Sequence, residues 1–347
     1  MGRILLSTDW HLKFSSQFDR TTELGIPTRL HEIIESVDWA ISVGKKQKAS
    51  YFLGLGDIFD SSEKLLTREG LAIKDMLGRI STAYNKSAMF LVGNHDQISA
   101  NHNILDLFSP GVRVFSSPTF VDVKGARLFF LPYLRESEDL YAALKEFEKF
   151  DCPGKKYLFA HFWDSSVMSV DPEAIDLSKV NLNFFNRIFL GHYHVPSANF
   201  NSKVIYLGTL LNKKFNETGP KGCWTLDVDT NKLEFFHNPN SPEFFVLQDS
   251  NVLTDAENLV ENAYYRIACD PENVLEVTKL LSKVKGFELV SKKNEETDPT
   301  KISIMNVEKR NSSSLKDYIM ANCAMFVPEG VTEEEFKAQG TSFLANL

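Results

Sequence analysis

The sequence predicts a layered α/β domain built on sheets, followed by a small α+β domain and terminal helices. Three observations carry that reading. Short apolar runs recur and end abruptly in polar residues: ILLSTD (4–9), YFLGLGD (51–57), AMFLVGN (88–94), KYLFAH (156–161) and RIFLGH (187–192). Segments of helical period lie between them at 28–47 and 65–84. Later runs, VIYLGT (204–209), CWTLDV (223–228) and KLEFFH (232–237), follow one another directly and read as closing antiparallel strands.

Each element has its own warrant. Continuous apolar runs of this length suit strands buried on both faces. Pro27 stands just before the first helical segment, with Thr28 as its expected cap. The Pro- and Asn-rich HNPNSPEF (237–244) marks a boundary, so the first domain is expected over 1–240. A second domain over 245–310 is expected from AYYRIAC (263–269), ENVLEVTKLLSKV (272–284), FELVS (287–291) and KISIMNV (301–307), with KKNEETDPT (292–300) as a polar loop. The segment 311–347 reads as a tail of two helices, 314–323 and 332–344, separated by VPEG. Thr332 and Glu335 have capping-box spacing.

Composition removes several classes of function. No apolar run reaches the ~18 residues of a membrane span, and MGRILLSTDWH is not the start of a signal peptide. Cys152, Cys223, Cys269 and Cys323 form no CxxC pair, which argues against a zinc ribbon and for reduced thiols in a cytoplasmic protein. The net charge of −8 is not that of a typical DNA binder. It is uneven, however: residues 241–347 hold 11 Lys and Arg against 18 Asp and Glu, and residues 1–240 hold 27 against 28. Two divalent cations in the first domain would reverse its local sign, so a nucleic-acid substrate is tolerated.

Five of the eight histidines follow expected strands directly. The segments are Asp9-Trp10-His11, Gly56-Asp57-Ile58-Phe59-Asp60, Gly93-Asn94-His95-Asp96, His161, and Gly191-His192-Tyr193-His194. In a strand, residues i and i+2 point the same way, so DxH and HxH can each aim two groups at one place. Ligand sites in open α/β folds form beyond the carboxyl ends of strands, where all five segments lie. Asp, Asn and His without Cys suit manganese, iron or zinc better than calcium. Each piece alone is weak; five in order, each at a strand end, are not. His31, His102 and His237 lack that context and read as surface or packing residues.

The order DxH, GD, GNHD, H, GHxH resembles the calcineurin-like metallophosphoesterases. Within them, DWHL (9–12), GDIFDS (56–61) and GNHD (93–96) look most like the SbcD-type nuclease subunits. The motif resemblance spans roughly residues 1–210 and is only architectural beyond. It implies a layered metallophosphoesterase fold with a small capping domain and C-terminal helices. It implies that Asp9, His11, Asp57 and His194 hold one divalent ion. Asp57, Asn94, His161 and His192 would hold a second, with Asp57 bridging. Manganese is the first expectation, with magnesium, iron or zinc as alternatives. His95 would face the substrate phosphate and assist the leaving oxygen. Asp96 would either orient His95 or serve the fold. Three departures from the family pattern stand out: Lys13 in place of glycine, Asp60 where relatives often carry histidine, and Ala160 rather than glycine before His161.

The implied function is a metal-dependent DNA exonuclease and endonuclease, acting in repair, recombination or replication. The resemblance implies DNA and an SbcC-type ATPase as partners; the chain shows no GxxxxGK[ST] motif, so any ATP dependence is expected to come from that partner. The alternative is another phosphoesterase of the superfamily, a cyclic-nucleotide phosphodiesterase or a protein phosphatase. Against the latter, Asp60 is followed by Ser61-Ser62 rather than Arg-Gly. The segment 65–80, with Leu66, Ile73, Met76, Leu77 and Ile80, is either a dimer face or part of its own core. The apolar tail is either packed on the capping domain or docked on the ATPase.

Overall fold

The computed structural model describes residues 2–291 apart from 14–17, 62–66, 86, 100–101, 109–110, 166–173, 216 and 218. It divides into two compact units, Met1–Ser241 and the chain from Pro242 onward. Expectations for KISIMNV and the tail helices fall outside the described residues.

In the first unit the elements run β1 (Arg3–Ser7), α1 (Thr28–Lys46), β2 (Tyr51–Leu55), α2 (Thr67–Ala83) and β3 (Ala88–Leu91). A short hairpin follows, β4 (Gln97–Ser99) with β5 (His102–Asn103), then β6 (Arg113–Phe115), β7 (Thr119–Val123), β8 (Ala126–Leu131) and α3 (Ser137–Phe147). The unit closes with β9 (Lys155–His161), β10 (Arg187–Gly191), β11 (Val204–Tyr206), β12 (Gly222–Asp227) and β13 (Lys232–His237). Two sheets result, ordered β13-β12-β1-β2-β3-β6 and β11-β10-β9-β8-β7. The neighbours β1-β2-β3-β6 and β8-β9-β10-β11 are all parallel.

Side-chain alternation along β1 shows how the layers stack. Leu5 joins the residues of α1 and α2, among them Leu30, Val37, Ile73 and Met76. Ile4 and Leu6 point the other way, into a second core with Phe130, Phe159 and Phe189 from the facing sheet. On that sheet's outer side, Phe129, Leu158 and Ile188 pack against Leu140, Leu144 and Phe147 of α3. The unit is therefore helix, sheet, sheet, helix. Strands covered on both faces explain the continuous apolar runs.

Several expectations are corrected. Thr28 is the first residue of α1 and makes no cap bond; its hydroxyl accepts from the Arg20 N–H at 3.1 Å. VIYLGT does not join the closing antiparallel strands: β11 pairs parallel with β10, and only β12 and β13 close the first sheet antiparallel. Elements β7, β8 and α3 lack any expectation from sequence. The stripe Ile73, Met76, Leu77 and Ile80 is buried within its own core, so it offers no dimer face, and Leu66 lies outside the described residues.

The second unit holds β14 (Glu243–Gln248), α4 (Asp249–Thr254), β15 (Ala263–Cys269), α5 (Val274–Leu280) and β16 (Gly286–Ser291). Its three strands form one parallel sheet, β14-β15-β16. Val252 and Val277 from the helices pack on Ile267 and Leu289. Strand β14 begins inside what reads in sequence as the linker, because Phe244 and Phe245 stack on Tyr264 and Tyr265.

Candidate metal centre

The strand pleat does not aim the DxH and HxH pairs. Strand β1 stops at Ser7 and β10 at Gly191, before the paired groups begin. Asp9 (φ 53°), His11 (46°), Asp57 (49°) and His192 (80°) instead occupy the left-handed region. They are four of the seven non-glycine residues there among those described. Each such residue stores on the order of 1–3 kcal/mol of strain, so its surroundings must hold it in place. Cross-loop bonds do so: Asp9 N–H donates to Gly56 O at 3.0 Å, His11 N–H to Asp57 O at 2.9 Å and Leu12 N–H to Ile58 O at 2.8 Å. His192 N–H donates to Asp9 Oδ2 at 3.0 Å. Gly56, at φ 89°, has no space for a side chain, since a Cβ would meet His161 Nδ1 and the Gly93 backbone.

Seven side chains converge into two sets. In the first, His11 Nε2 lies 3.1 Å from His194 Nε2, 3.8 Å from Asp9 Oδ1 and 3.6 Å from Asp57 Oδ2. In the second, His161 Nε2 lies 3.1 Å from His192 Nδ1, 3.2 Å from Asn94 Oδ1 and 3.4 Å from Asp57 Oδ1. Asp57 thus turns one oxygen to each set. Asp9-His11-His194 and Asp57-His161-His192 each bring ligand atoms within 4.8 Å of one another. The fit to cations is good. Ligand atoms around an ion at ~2.0–2.2 Å are about 3–4 Å apart. Two pairs of imidazole nitrogens facing each other at 3.1 Å are readily explained by a cation between them.

The outer nitrogens of the histidines fix which atom faces inward. His161 Nδ1 donates to the Leu55 carbonyl at 2.6 Å and His194 Nδ1 to Glu217 Oε1 at 2.8 Å, leaving Nε2 of each for a ligand. His11 Nδ1 is buried without a hydrogen bond, 3.6 Å from Asp60 Oδ1. His95 is exposed and beside the first set, its ring centroid 4.9 Å from that of His11. Its Nδ1 donates to the Asp60 carbonyl at 2.7 Å, and its backbone N–H donates to Asp57 Oδ1 at 2.9 Å. Asp96 does not orient the ring. Fully buried, it accepts from Phe59 N–H at 3.0 Å and Gly93 N–H at 2.9 Å, tying the GD and GN loops together. His31, His102 and His237 belong to none of these ligand groups.

Charge is distributed unevenly. Burial opposes ionisation of Asp57, yet His161 and His11 beside it hold its carboxyl well below the usual range. Burial also disfavours the His161 cation, but Asp57 raises its pKa to about 9. Burial lowers His192 to about 3, with the nearby His161 adding to the effect, and burial also depresses His11, helped by Lys213. Burial and Asp57 push Asp96 up to about 7.

Sequence reasoning misses three residues behind the first set. Lys213 Nζ donates to Asp9 O at 2.9 Å, and Lys221 Nζ to His194 O at 3.1 Å. Glu217 lies between them, 3.4 Å from Lys221 Nζ and accepting the Lys213 N–H at 2.9 Å. Despite burial, its bond from His194 and the two lysines hold its carboxyl at about 2, while burial lowers Lys213 to about 8. The segment KKFNETGPKG (213–222) has no strand or helix period that would have marked it; its one signal is an acid spaced i, i+4 from a lysine.

Residues 2–196 match the family described as calcineurin-like phosphoesterase. The chain is 25% identical over 248 residues to exonuclease subunit 1 of Enterobacteria phage T4, covering 68% of each chain. It is 23% identical over 328 residues to a probable exonuclease subunit 1 of Escherichia phage T5, covering 88% of this chain and 89% of that one. A solved structure described as a novel archaeal phosphodiesterase aligns with a TM-score of 0.36 at 12% identity, over 68% of this chain and 99% of that one.

Proposed function

The chain belongs to the calcineurin-like phosphoesterase family, and from that premise we propose that it is a two-metal nuclease that hydrolyses DNA phosphodiesters as the partner of an SbcC-type ATPase. The observation that carries the reading is the division of Asp57: Oδ2 faces His11 and Oδ1 faces His161. A shared carboxylate between two ligand sets is what a phosphoesterase needs to treat both the attacking and departing oxygens. That two relatives bear the name exonuclease subunit 1 supports a nucleic-acid phosphodiester, here taken as DNA, as the substrate.

Asp9, His11, His194 and Asp57 would hold one divalent ion, and Asp57, Asn94, His161 and His192 the other, with manganese the first choice. Bound there, such ions would neutralise phosphate oxygens and make a water nucleophilic near neutral pH. The chain's own residues do the rest. His95, anchored at Nδ1 by Asp60 O, presents Nε2 to the substrate and gives a proton to the departing sugar oxygen. Its backbone N–H fixes Asp57 Oδ1, so the group that moves the proton and the shared carboxylate keep one geometry. Asp96 acts by holding the loops that carry Asp57, Asn94 and His95.

Manganese-dependent hydrolysis should be compared on linear duplex DNA, a phosphopeptide and a cyclic nucleotide. Cleavage of DNA in preference to both others is expected. Turnover of the cyclic nucleotide or phosphopeptide with DNA left intact would overturn the nuclease reading. The ATPase partnership, assigned to the tail, is tested by truncating after Glu308: basal cleavage should persist and ATP-stimulated cleavage of duplex ends should disappear.

A further inference from the structure

The two ligand sets differ in what stands behind them. In the second set, the outer nitrogen of His161 is held by a neutral acceptor, the Leu55 carbonyl. In the first, the outer nitrogen of His194 is held by a carboxylate, Glu217, whose side chain is 4% exposed. A carboxylate makes the imidazole a stronger donor to a cation than a carbonyl does. Glu217 in turn is gripped by cations: Lys221, 1% exposed, lies 3.4 Å from its Oε2. Both lysines also reach backbone carbonyls of first-set ligands, Lys221 that of His194 and Lys213 that of Asp9. Two buried ammonium groups thus stand beside a place meant for a cation. Their charge opposes loading, and Glu217 is the counter-ion between them and the ligands.

Resting on the two-metal reading above, we propose that Glu217 is a positioning residue that sets how tightly the Asp9-His11-His194 set holds its ion, with Lys221 weakening that grip. The arrangement makes this set the adjustable one and leaves the Asp57-Asn94-His161-His192 set unaffected. Glu217→Gln keeps the shape and removes the charge, leaving both lysines uncompensated. Lys221→Met removes one opposing charge and frees Glu217 to polarise His194 more fully.

The test is calorimetric titration of chelator-stripped full-length protein with manganese, followed in parallel by electron paramagnetic resonance, which separates a lone Mn2+ from a coupled pair. In Glu217→Gln, one ion should bind as in the wild type and the other ~10–100-fold more weakly, the range typical of losing such an outer partner. A lone-ion signal should persist at concentrations that give the wild type its coupled signal. In Lys221→Met the weaker ion should bind more tightly than in the wild type. Wild-type loading of both ions in Glu217→Gln, or equal weakening of both, would overturn the proposal. Should Glu217→Gln not fold, Lys221→Met decides: tighter binding supports the assignment, and unchanged or weaker binding overturns it. A wild-type chain that takes up no manganese would sink the nuclease reading itself, a result distinct from any difference between variants.

Discussion

Lys13 Nζ stands 3.0 Å from Asp60 Oδ2, joining two of the positions at which this sequence departs from the pattern of its family. Asp60 also has Oδ1 3.6 Å from His11 Nδ1 and gives its carbonyl to His95. The half-exposed lysine is thereby tied to a residue that borders the first set, and a role in holding the substrate phosphate can be tested. Lys13→Ala should leave manganese content unchanged, weaken DNA binding and reduce the slope of log affinity against log salt by about 1, as for one lost phosphate contact. An unchanged salt slope would remove Lys13 from the substrate site.

Asp57→Ala should abolish binding of both ions, because each of its oxygens faces a different set. Asp9→Ala should weaken mainly one, since the imidazole nitrogens that Asp9 Oδ1 approaches are those of His11 and His194 in the first set. Metal analysis after dialysis against excess manganese distinguishes the two. Retention of one ion by Asp57→Ala would show that its carboxylate is not shared.

His95→Asn should separate chemistry from loading. The ring is exposed and its Nδ1 is engaged by Asp60 O, so Nε2 remains for the substrate. Cleavage should fall by ~10²–10⁴-fold, the usual share of general acid catalysis, with both ions kept. Cleavage at the wild-type rate would remove His95 from proton transfer.

The acidity of His161 predicts opposite pH trends for stability and loading. In the metal-free chain Asp57, against the effect of burial, raises His161 from 6.5 to about 9. A raised folded-state value stabilises the fold fully below pH 6.5 and loses that contribution as pH climbs through 9. A cation competes with the proton for the same nitrogen, so manganese affinity should rise over that window while the metal-free melting temperature falls. His192 and His11 are depressed and already neutral, so loading at pH 7.5 should release about one proton from His161, besides any from Lys213 or Asp96. Calorimetry in two buffers of different ionisation enthalpy counts it, and a count of zero would contradict the pairing of Asp57 with His161.

Gly56→Ala should cost roughly 1–3 kcal/mol of stability, since φ is 89° and the added Cβ would press on His161 Nδ1 and the Gly93 backbone. Manganese binding should weaken at the second set, which contains His161. Thermal melts with and without manganese would show both effects; a wild-type melt would mean that the loop yields without strain.

The candidate centre was legible because its residues come from strand ends, where apolar runs break into Asp, Asn and His within a few residues. All seven expected ligands lie in one of the two sets. Strand alternation does not by itself account for the two pairs. Asp9 and His11 converge through left-handed backbone after β1 has ended, and sequence alternation alone does not register that. Glu217, Lys213 and Lys221 were missed because they sit on an irregular loop, and their contacts to Asp9 and His194 cross 23 to 204 positions of chain, with no local period to report them. The Leu55 carbonyl was missed because backbone acceptors leave no trace in residue identity. Elements β7, β8 and α3 escaped for a plainer reason: the ligand motifs do not touch them. Strand β14 was hidden by the Pro and Asn that flank it.

The strained turns at Asp9, His11, Asp57 and His192 have one more consequence. They are locked by backbone N–H groups that donate to the Gly56, Asp57 and Ile58 carbonyls and, from His192, to the Asp9 carboxylate. These turns are held by the chain's own backbone, whereas a zinc finger depends on its metal to stay folded. A chain stripped by a chelator should idle rather than die: still folded, and restored at the speed of ion diffusion rather than of refolding.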